Sequence, residues 1–427
     1  MEPSPVSIEI PANWSRRFFT LWSGLSISQI GSALIQFALI WWLTKTTGSA
    51  TVLAVSTLAA LLPGIFLAPF AGTLVDRWNR RAVVMTVRGL ASLSEAILVL
   101  LFGSGRIAVW EVLVILFLLA AAATFSSPAI QASTPLMVPR DQLARIAGLN
   151  YTLSGILGVV APPLGAVLIN AFPIHWVLAI DVIAGSLALA VFAAVDIPQP
   201  PHSPARAGGI FKRSSYWQDL KAGWTYLVGW PGLLGICLLA MAGNTLSYPL
   251  ESLIPLLVTK VYRGGALQLG WMNSGIKLGL ILGGLAISAW GGFKKRVLTF
   301  LLTSMLTGLS FVLMGVLPST WFFGALICVT LFGTMVTMGN APIDALLQST
   351  VAPELQARVL GLINAGATAM TPLCLLLAGP VADRLGMRAM YMVCGGIDVV
   401  IISIGLGIPA IMNLETNAHP VRPLGPP

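Results

Sequence analysis

The sequence predicts an all-α membrane protein in which twelve transmembrane helices form two six-helix, pseudo-symmetric bundles. Three observations carry that prediction. Hydrophobic residues make up 56% of the 427 residues and charged residues only 9%, with a mean hydropathy of +0.88; a soluble domain carries about 25% charge, so the solvent here is lipid. The apolar runs are continuous and show no alternating pattern, which favours helices over a barrel. Finally, the second half of the chain repeats landmarks of the first.

A bilayer core about 30 Å thick needs roughly 20 apolar residues per helix. Arg16 and Arg17 precede the first stretch, 18–43, which is read as an uncleaved helix because it has no short apolar region followed by a cleavage site. Lys45 separates it from 51–75, and the loop Asp76-Arg77-Trp78-Asn79-Arg80-Arg81 leads into 83–103. Arg106 precedes 108–135, Arg140 and Arg145 precede 146–169, and a short uncharged turn leads to 174–195. The second set runs 232–259, 267–290 after Lys260 and Arg263, 297–317 after Lys294-Lys295-Arg296, 321–350, 358–381, and 389–412 after Arg384 and Arg388. Trp41, Trp42, Trp110, Trp176 and Trp321 fall at the ends of these stretches, as an aromatic belt does.

With the N-terminus inside and loops assigned alternately, 16 of the 24 basic residues fall on the inner side and 6 on the outer, with Arg88 and Lys277 inside helices. That asymmetry places both termini in the cytoplasm and explains the net charge of +9 as a topology signal. It does not read as a nucleic-acid surface, because no basic cluster is backed by a soluble domain.

Residues 196–221 break the apolar pattern with Pro198, Pro200, Pro201, Pro204, Gly208, Gly209 and four basic residues. They read as a cytoplasmic linker between an N-terminal bundle, 1–195, and a C-terminal bundle with a short tail, 222–427. Across it the halves align: Gln29 with Asn244, Gln36 with Glu251, Thr44-Lys45 with Thr259-Lys260 and Arg81 with Arg296, all 215 apart. Pro139, Ala144-Arg145 and Gly148 align with Pro353, Ala357-Arg358 and Gly361, Asn150 with Asn364, and Asp181 with Asp398. Six helices return the chain to the same side, so the copies are parallel repeats, an arrangement that suits alternating access to a central site.

The loop G-x-x-x-D-R-x-x-R-R formed by Gly72, Asp76, Arg77, Arg80 and Arg81 resembles the hinge signature of the major facilitator superfamily. Phe37-Ala38-Leu39, Thr47-Gly48-Ser49-Ala50, Ala266-Leu-Gln268-Leu-Gly270-Trp271, Asn340-Ala-Pro342 and Leu377-Ala-Gly379-Pro380-Val-Ala-Asp383-Arg384 are similar to its macrolide-efflux-type drug exporters. The chain departs from the family pattern at Ser288, where the second hinge would carry aspartate. It also lacks the arginine motif of the fourth helix, and Gly155, Gly158, Ala161-Pro162-Pro163 and Gly165-Ala166 match the antiporter motif of the fifth only in part.

The resemblance implies a secondary exporter of bulky lipophilic compounds such as macrolides, coupled to protons by antiport, in the inner membrane of a bacterial-type cell. A siderophore or lipid exporter of the same fold is the alternative, and a non-transporting sensor or assembly protein the alternative from another class. Gly72, Asp76, Arg77, Arg80 and Arg81 would gate the cytoplasmic side, with Asp76 near a helix N-terminus and Gly72 allowing close approach; otherwise the arginines only fix topology.

Charges inside helices cost about 2.5–3.5 kcal/mol each at the bilayer centre. Glu251, Asp181, Asp344 and Lys277 are the candidates for proton coupling. Glu251 either binds the proton or a cationic drug group on a cavity-lining helix, or pairs with Lys277 as a structural salt bridge. Arg88 and Glu95, seven residues apart on one helix face, are read as a structural network with Asp181. Gln29, Gln36, Asn244, Tyr248, Asn273 and Asn340 are candidates for contacting an amphipathic substrate; each could also make only an interhelical hydrogen bond.

Cys237, Cys328, Cys374 and Cys394 fall inside expected helices without paired spacing and read as packing residues. His175, His202 and His419 suit no ligand set. No phosphate-cradling loop or metal set is present, so the chain is expected to be no enzyme, to need no cofactor, and to draw its energy from a proton gradient. Its expected partners are the small substrate, the proton and membrane lipids, and it is expected to act as a monomer.

Overall fold

The computed structural model describes residues 13–195, 224–351 and 353–415. The described residues form twelve long helices: α1 (Trp14–Thr47), α2 (Ala50–Arg77), α3 (Arg80–Ser104), α4 (Val109–Met137), α5 (Leu143–Ala171), α6 (Ile174–Ala194), α7 (Pro231–Ser252), α8 (Ala266–Trp290), α9 (Arg296–Val316), α10 (Phe322–Thr350), α11 (Pro353–Leu385) and α12 (Met387–Leu406). Eleven of them, all but α11, are long and apolar enough along their described residues to cross a bilayer. The expected linker, 196–221, lies outside the described residues.

Local chemistry sets the ends. α1 closes at Gly48 and α3 at Gly105, both in the left-handed conformation that glycine adopts without steric cost. Asn79 starts α3, its Oδ1 accepting from the Ala82 N–H at 3.2 Å. Glu111 reaches back to the Ala108 N–H at 2.8 Å at the start of α4.

One expected element differs. The apolar run 232–259 predicts one helix, but α7 stops at Ser252 and is followed by a single turn, Ile254–Leu256, and a π-helical turn, Leu257–Val261. Pro255 is the cause: it has no N–H to offer the carbonyl of Glu251 four residues earlier, and its ring crowds that carbonyl. The Tyr391 hydroxyl on α12 donates to the neighbouring Leu250 carbonyl at 2.5 Å. Candidate Glu251 therefore sits at the interruption.

By contact the chain falls into two units, one of Met1–Gly48 and Val55–Ser203, the other of Ser49–Ala54 and Pro204–Pro427. In the first, α1 packs on α5 and α6, and α3 on α4 and α6. In the second, α7 packs on α11 and α12, and α9 on α10 and α12. Raising each helix number by six converts these four pairings of the first unit into those of the second, so the sequence duplication extends to this part of the packing. Phe18, Val83, Met137 and Phe192 belong to the core of the first unit, and Leu233, Phe300, Leu346 and Ile402 to that of the second.

Lipid supplies no hydrophobic force between helices, so close backbone approach does the work. Gly275, Gly279 and Gly283 form a stripe along α8 against α10. A Cβ on Gly279 would strike the Thr330 carbonyl and lie 2.9 Å from the Thr334 nitrogen, and one on Gly283 would strike the Thr334 carbonyl. Gly333 meets the Ile276 carbonyl from the other side.

Gly279→Val should therefore lower the yield of folded protein or its melting temperature in detergent, at a cost of about 1–3 kcal/mol or more, because backbone cannot yield as a side chain does. Gly284→Val is the control: the nearest atom, Thr337 Cγ2, is 3.9 Å from the added Cβ, and this variant should behave as wild type.

Candidate functional site

Each unit carries a partly open cavity lined in part by a buried aspartate. In the first unit, about 540 Å³ is lined by Ser32 and Gln36 of α1, Arg88, Ala91 and Glu95 of α3, Leu116 and Thr124 of α4, and Asp181 of α6. Asp181 and Glu95 are almost wholly buried. Arg88 Nη2 stands 3.5 Å from Asp181 Oδ1, and Ser32 Oγ donates to the same oxygen at 3.5 Å. The Glu95 carboxyl lies against that of Asp181. With one arginine to two carboxyl groups, the cluster is neutral when it holds one proton and carries −1 when it holds none.

Glycines make room for this cluster. A Cβ on Gly31 would collide with Asp181 Oδ1, and one on Gly185 would lie 2.5 Å from Ser92 Oγ and 3.1 Å from Arg88 Nη2. The packing leaves Arg88 Nε, Ser92 Oγ, Glu95 Oε2 and Asp181 Oδ2 buried without a hydrogen-bond partner. Unpaired polar atoms in an apolar setting are costly, and here they stand beside a cavity large enough for water or a polar ligand group to reach them.

The second unit carries a smaller cavity, about 200 Å³, lined by Asn244, Ser247, Tyr248 and Glu251 of α7, Ser304 and Thr307 of α9, Asn340 of α10 and Asp398 of α12. Glu251 is half-buried and, among the described residues, has no hydrogen bond or ion pair to its carboxyl. Asp398 is 2% exposed with Oδ1 unpartnered. The repeat places Gln36 and Asp181 in one cavity and their equivalents Glu251 and Asp398 in the other.

The α3 charges, however, have no charged equivalents. At the same offset of 215, Arg88, Ser92 and Glu95 correspond to Thr303, Thr307 and Ser310. These hydroxyls bond their own helix: Thr303 to the Thr299 carbonyl at 2.8 Å, Thr307 to that of Thr303 at 3.1 Å and Ser310 to that of Leu306 at 2.8 Å. Among the described residues Asp398 is thus left without a basic partner like the one Asp181 has.

The structure brings Asn244, Tyr248, Glu251 and Asn340 into one cavity, and Gln36 and Asp181 into the other. Gln29 lines a separate pocket with Trp22 and Asn150, whose side chains are joined by a hydrogen bond of 2.8 Å. Asn273, Lys277 and Asp344 line neither cavity.

Among the described residues no ion pair within 4.0 Å joins Glu251 to Lys277, although Lys277 lies near enough to act through its charge. The reason is rotation about α8. The glycine stripe faces α10, and Lys277, two residues on from Gly275, points about 200° away to the exposed face.

Of the hinge residues, Arg80 donates to the Ala132 carbonyl at 2.8 Å, and Arg81 to the Phe192 and Ala193 carbonyls at 3.2 and 2.6 Å, where it caps the C-terminal end of α6. The side chains of Asp76 and Arg77 and the surroundings of Gly72 lie outside what the structure describes.

The family model of the Major Facilitator Superfamily matches residues 21–373. The chain belongs to the Major Facilitator Superfamily. It is accordingly a multi-pass membrane transporter rather than an enzyme. Within the superfamily it is 29% identical over 403 residues to Macrolide efflux protein A of Streptococcus pyogenes, across 94% of this chain and 98% of that protein. It is 27% identical over 436 residues to the multidrug efflux pump Tap of Mycobacterium tuberculosis, across 97% of this chain and 99% of that one. Among solved structures, a bacterial metal transporter superposes with a TM-score of 0.65 at 12% identity, covering 91% of this chain and 98% of that chain. The nucleoside transporter NupG superposes with a TM-score of 0.60 at 13% identity, covering 90% and 98%. At such identities the structural likeness concerns the fold alone.

Sequence reasoning read Arg88, Glu95 and Asp181 as one network and Asp398 as the equivalent of Asp181; it missed the cavities beside the two aspartates and the glycines that make room for Asp181 and its neighbours. Arg88→Met should leave two buried carboxyl groups without their cation and lower unfolding stability by about 3–5 kcal/mol. Arg88→Met combined with Asp181→Asn should recover most of that loss. A melting curve for Arg88→Met that matches wild type would show that the cluster is not held by its arginine.

Proposed function

We propose that this chain exports bulky, lipophilic, often cationic compounds, macrolides among them, across a bacterial-type inner membrane, using the entry of protons to drive them out. Full-length similarity to two efflux proteins supports the direction of transport and the substrate class. The observation that carries the mechanism is Glu251, a carboxyl group with no hydrogen bond or close ion pair among the described residues, at a helix interruption, lining a cavity that also contains the buried Asp398.

Asn244, Tyr248 and Asn340 offer polar contacts around it, and half-exposed Tyr248 offers a ring face to an apolar or cationic ligand. The carboxyl can hold either a proton or a cationic group of the substrate, and exclusion of one by the other is what antiport requires. The Glu95–Asp181 cluster, neutral with one proton and charged without it, offers a second place to hold a proton. Gly72, Asp76, Arg77, Arg80 and Arg81 act as the cytoplasmic hinge, the termini lie inside, and the protein works as a monomer with only the substrate, the proton and the surrounding lipid as partners.

An efflux-deficient bacterium expressing the chain should tolerate more macrolide than the host alone. Glu251→Gln, a permanent mimic of the protonated form, should cut gradient-driven export by about tenfold or more, the factor that about 1.4 kcal/mol of lost coupling gives. Its melting temperature should stay near wild type, since no ion pair is broken, and Lys277→Met should export normally. Wild-type export by Glu251→Gln would move the coupling site to the Glu95–Asp181 cluster, with Asp181→Asn as its test.

Single-cysteine labelling of intact cells tests the orientation. Cysteines placed at Lys45 and Lys260 should react with an impermeant reagent and one placed at Ser214 should not. The reverse pattern would invert every loop.

A further inference from the structure

The peptide that ends α2 has a twin elsewhere in the chain. The pattern A-G-x-x-x-D-R-x-x-x-R fits residues 71–81 and again residues 378–388, the end of α11. The two copies are related by an offset far from the 215 that relates the two halves, so the duplication does not account for them. Successive spans alternate in direction, so α2 and α11 run oppositely and their C-terminal ends lie at opposite faces of the membrane.

The second copy shows what the pattern does. Asp383 accepts from the Ala50 N–H at 2.8 Å, the Thr51 N–H at 3.0 Å, Thr51 Oγ1 at 2.8 Å and Ser49 Oγ at 3.0 Å. These are the opening N–H groups of α2, which have no partner within their own helix, and a carboxylate is favoured at the positive end of a helix dipole. Gly379 stands one turn earlier on the same face of α11. A Cβ there would lie 2.6 Å from Thr51 Cα, 3.1 Å from Thr51 N and 3.2 Å from Ala54 Cβ. The glycine admits the backbone and the aspartate, four residues on, caps it, so both fixed positions touch the same turn. This contact groups Ser49–Ala54 with the second unit, while α2 from Val55 onward groups with the first.

The geometry points to Asp383 and Gly379 as a latch, a second copy of the hinge device at the opposite face, whose four bonds to the first turn of α2 must open each time that face opens. The inference rests on transport by alternating access, not on the identity of the substrate or of the driving ion.

The test uses the full chain in membrane vesicles, with the four native cysteines replaced by alanine and one cysteine introduced as Ala50→Cys. Ala50 is 0% exposed beneath the latch. An impermeant maleimide is added to whichever vesicle face labels Lys45→Cys, so an inverted orientation does not confuse the result. Labelling of Ala50→Cys should be slow in the otherwise unchanged chain and rise about tenfold in Asp383→Asn and in Gly379→Val, as a minor open state becomes the major one. Labelling of Lys45→Cys should not change.

If either α11 variant fails to insert, Ser49→Ala with Thr51→Val removes two of the four donors without touching α11 and should also raise the rate. A contact with only a structural role would lower the melting temperature and leave Ala50→Cys labelling unchanged. That result, in Asp383→Asn or in the Ser49/Thr51 double variant, overturns the latch.

Discussion

Backbone-to-backbone approach at glycine is the interaction on which this structure depends. In water, two helices join because apolar surface leaves the solvent; in lipid the tails are as apolar as leucine and that force is missing. What remains is contact close enough for dispersion and for carbonyl groups to meet small neighbours. The α8 stripe of Gly275, Gly279 and Gly283 against α10, and the meeting of Gly308 on α9 with Gly395 on α12, provide it in the second unit. In the first unit Gly31 and Gly185 serve a different need: they hold open the space in which Asp181 and its neighbours stand. Packing and polar chemistry thus draw on the same residue type.

The two halves share four helix pairings and the placement of one buried aspartate, yet they differ in charge around it. Asp181 has an arginine and a second carboxyl group within its cluster, whereas Asp398 faces hydroxyls that already bond their own helix. A duplicated scaffold has kept its packing and let its polar interior diverge. The half with the charged cluster has the larger cavity, and the half with the lone aspartate carries Glu251 on the opposing helix. Such divergence lets a symmetric frame respond differently to a proton and to a ligand.

Nearly all of the fold was legible in the sequence, because lipid imposes a one-dimensional rule: length of apolar run, loop charge and the offset of 215 suffice for twelve helices in two sets. The interruption of α7 was not read, although Pro249 and Pro255 stood in view, because a proline in a membrane helix can be accommodated without a break. The site was legible in depth along each helix and illegible in rotation about it. Glu251 and Lys277 lie at similar depths, which suggested a pair, but the glycine stripe that turns Lys277 away was not recognised as the face of α8 that packs. Asn273 and Asp344 missed the cavities for the same reason, since polarity marks a residue as expensive without saying which way it points. Asp383 was visible only as part of a family-like run, since its donors lie more than 330 positions away.

The capping of α2 by Asp383 also bears on how the chain is made. Ala50 and Asp383 are 333 residues apart. A ribosome adding about 5–20 residues per second needs on the order of 20–70 s to cover that distance. For that interval α2 is in the membrane while the carboxylate that completes its first turn does not yet exist, and those N–H groups must be served by water at the membrane surface. The start of the second helix is therefore among the last parts of the molecule to reach its final state, and its ordering is a signal that the eleventh helix has arrived.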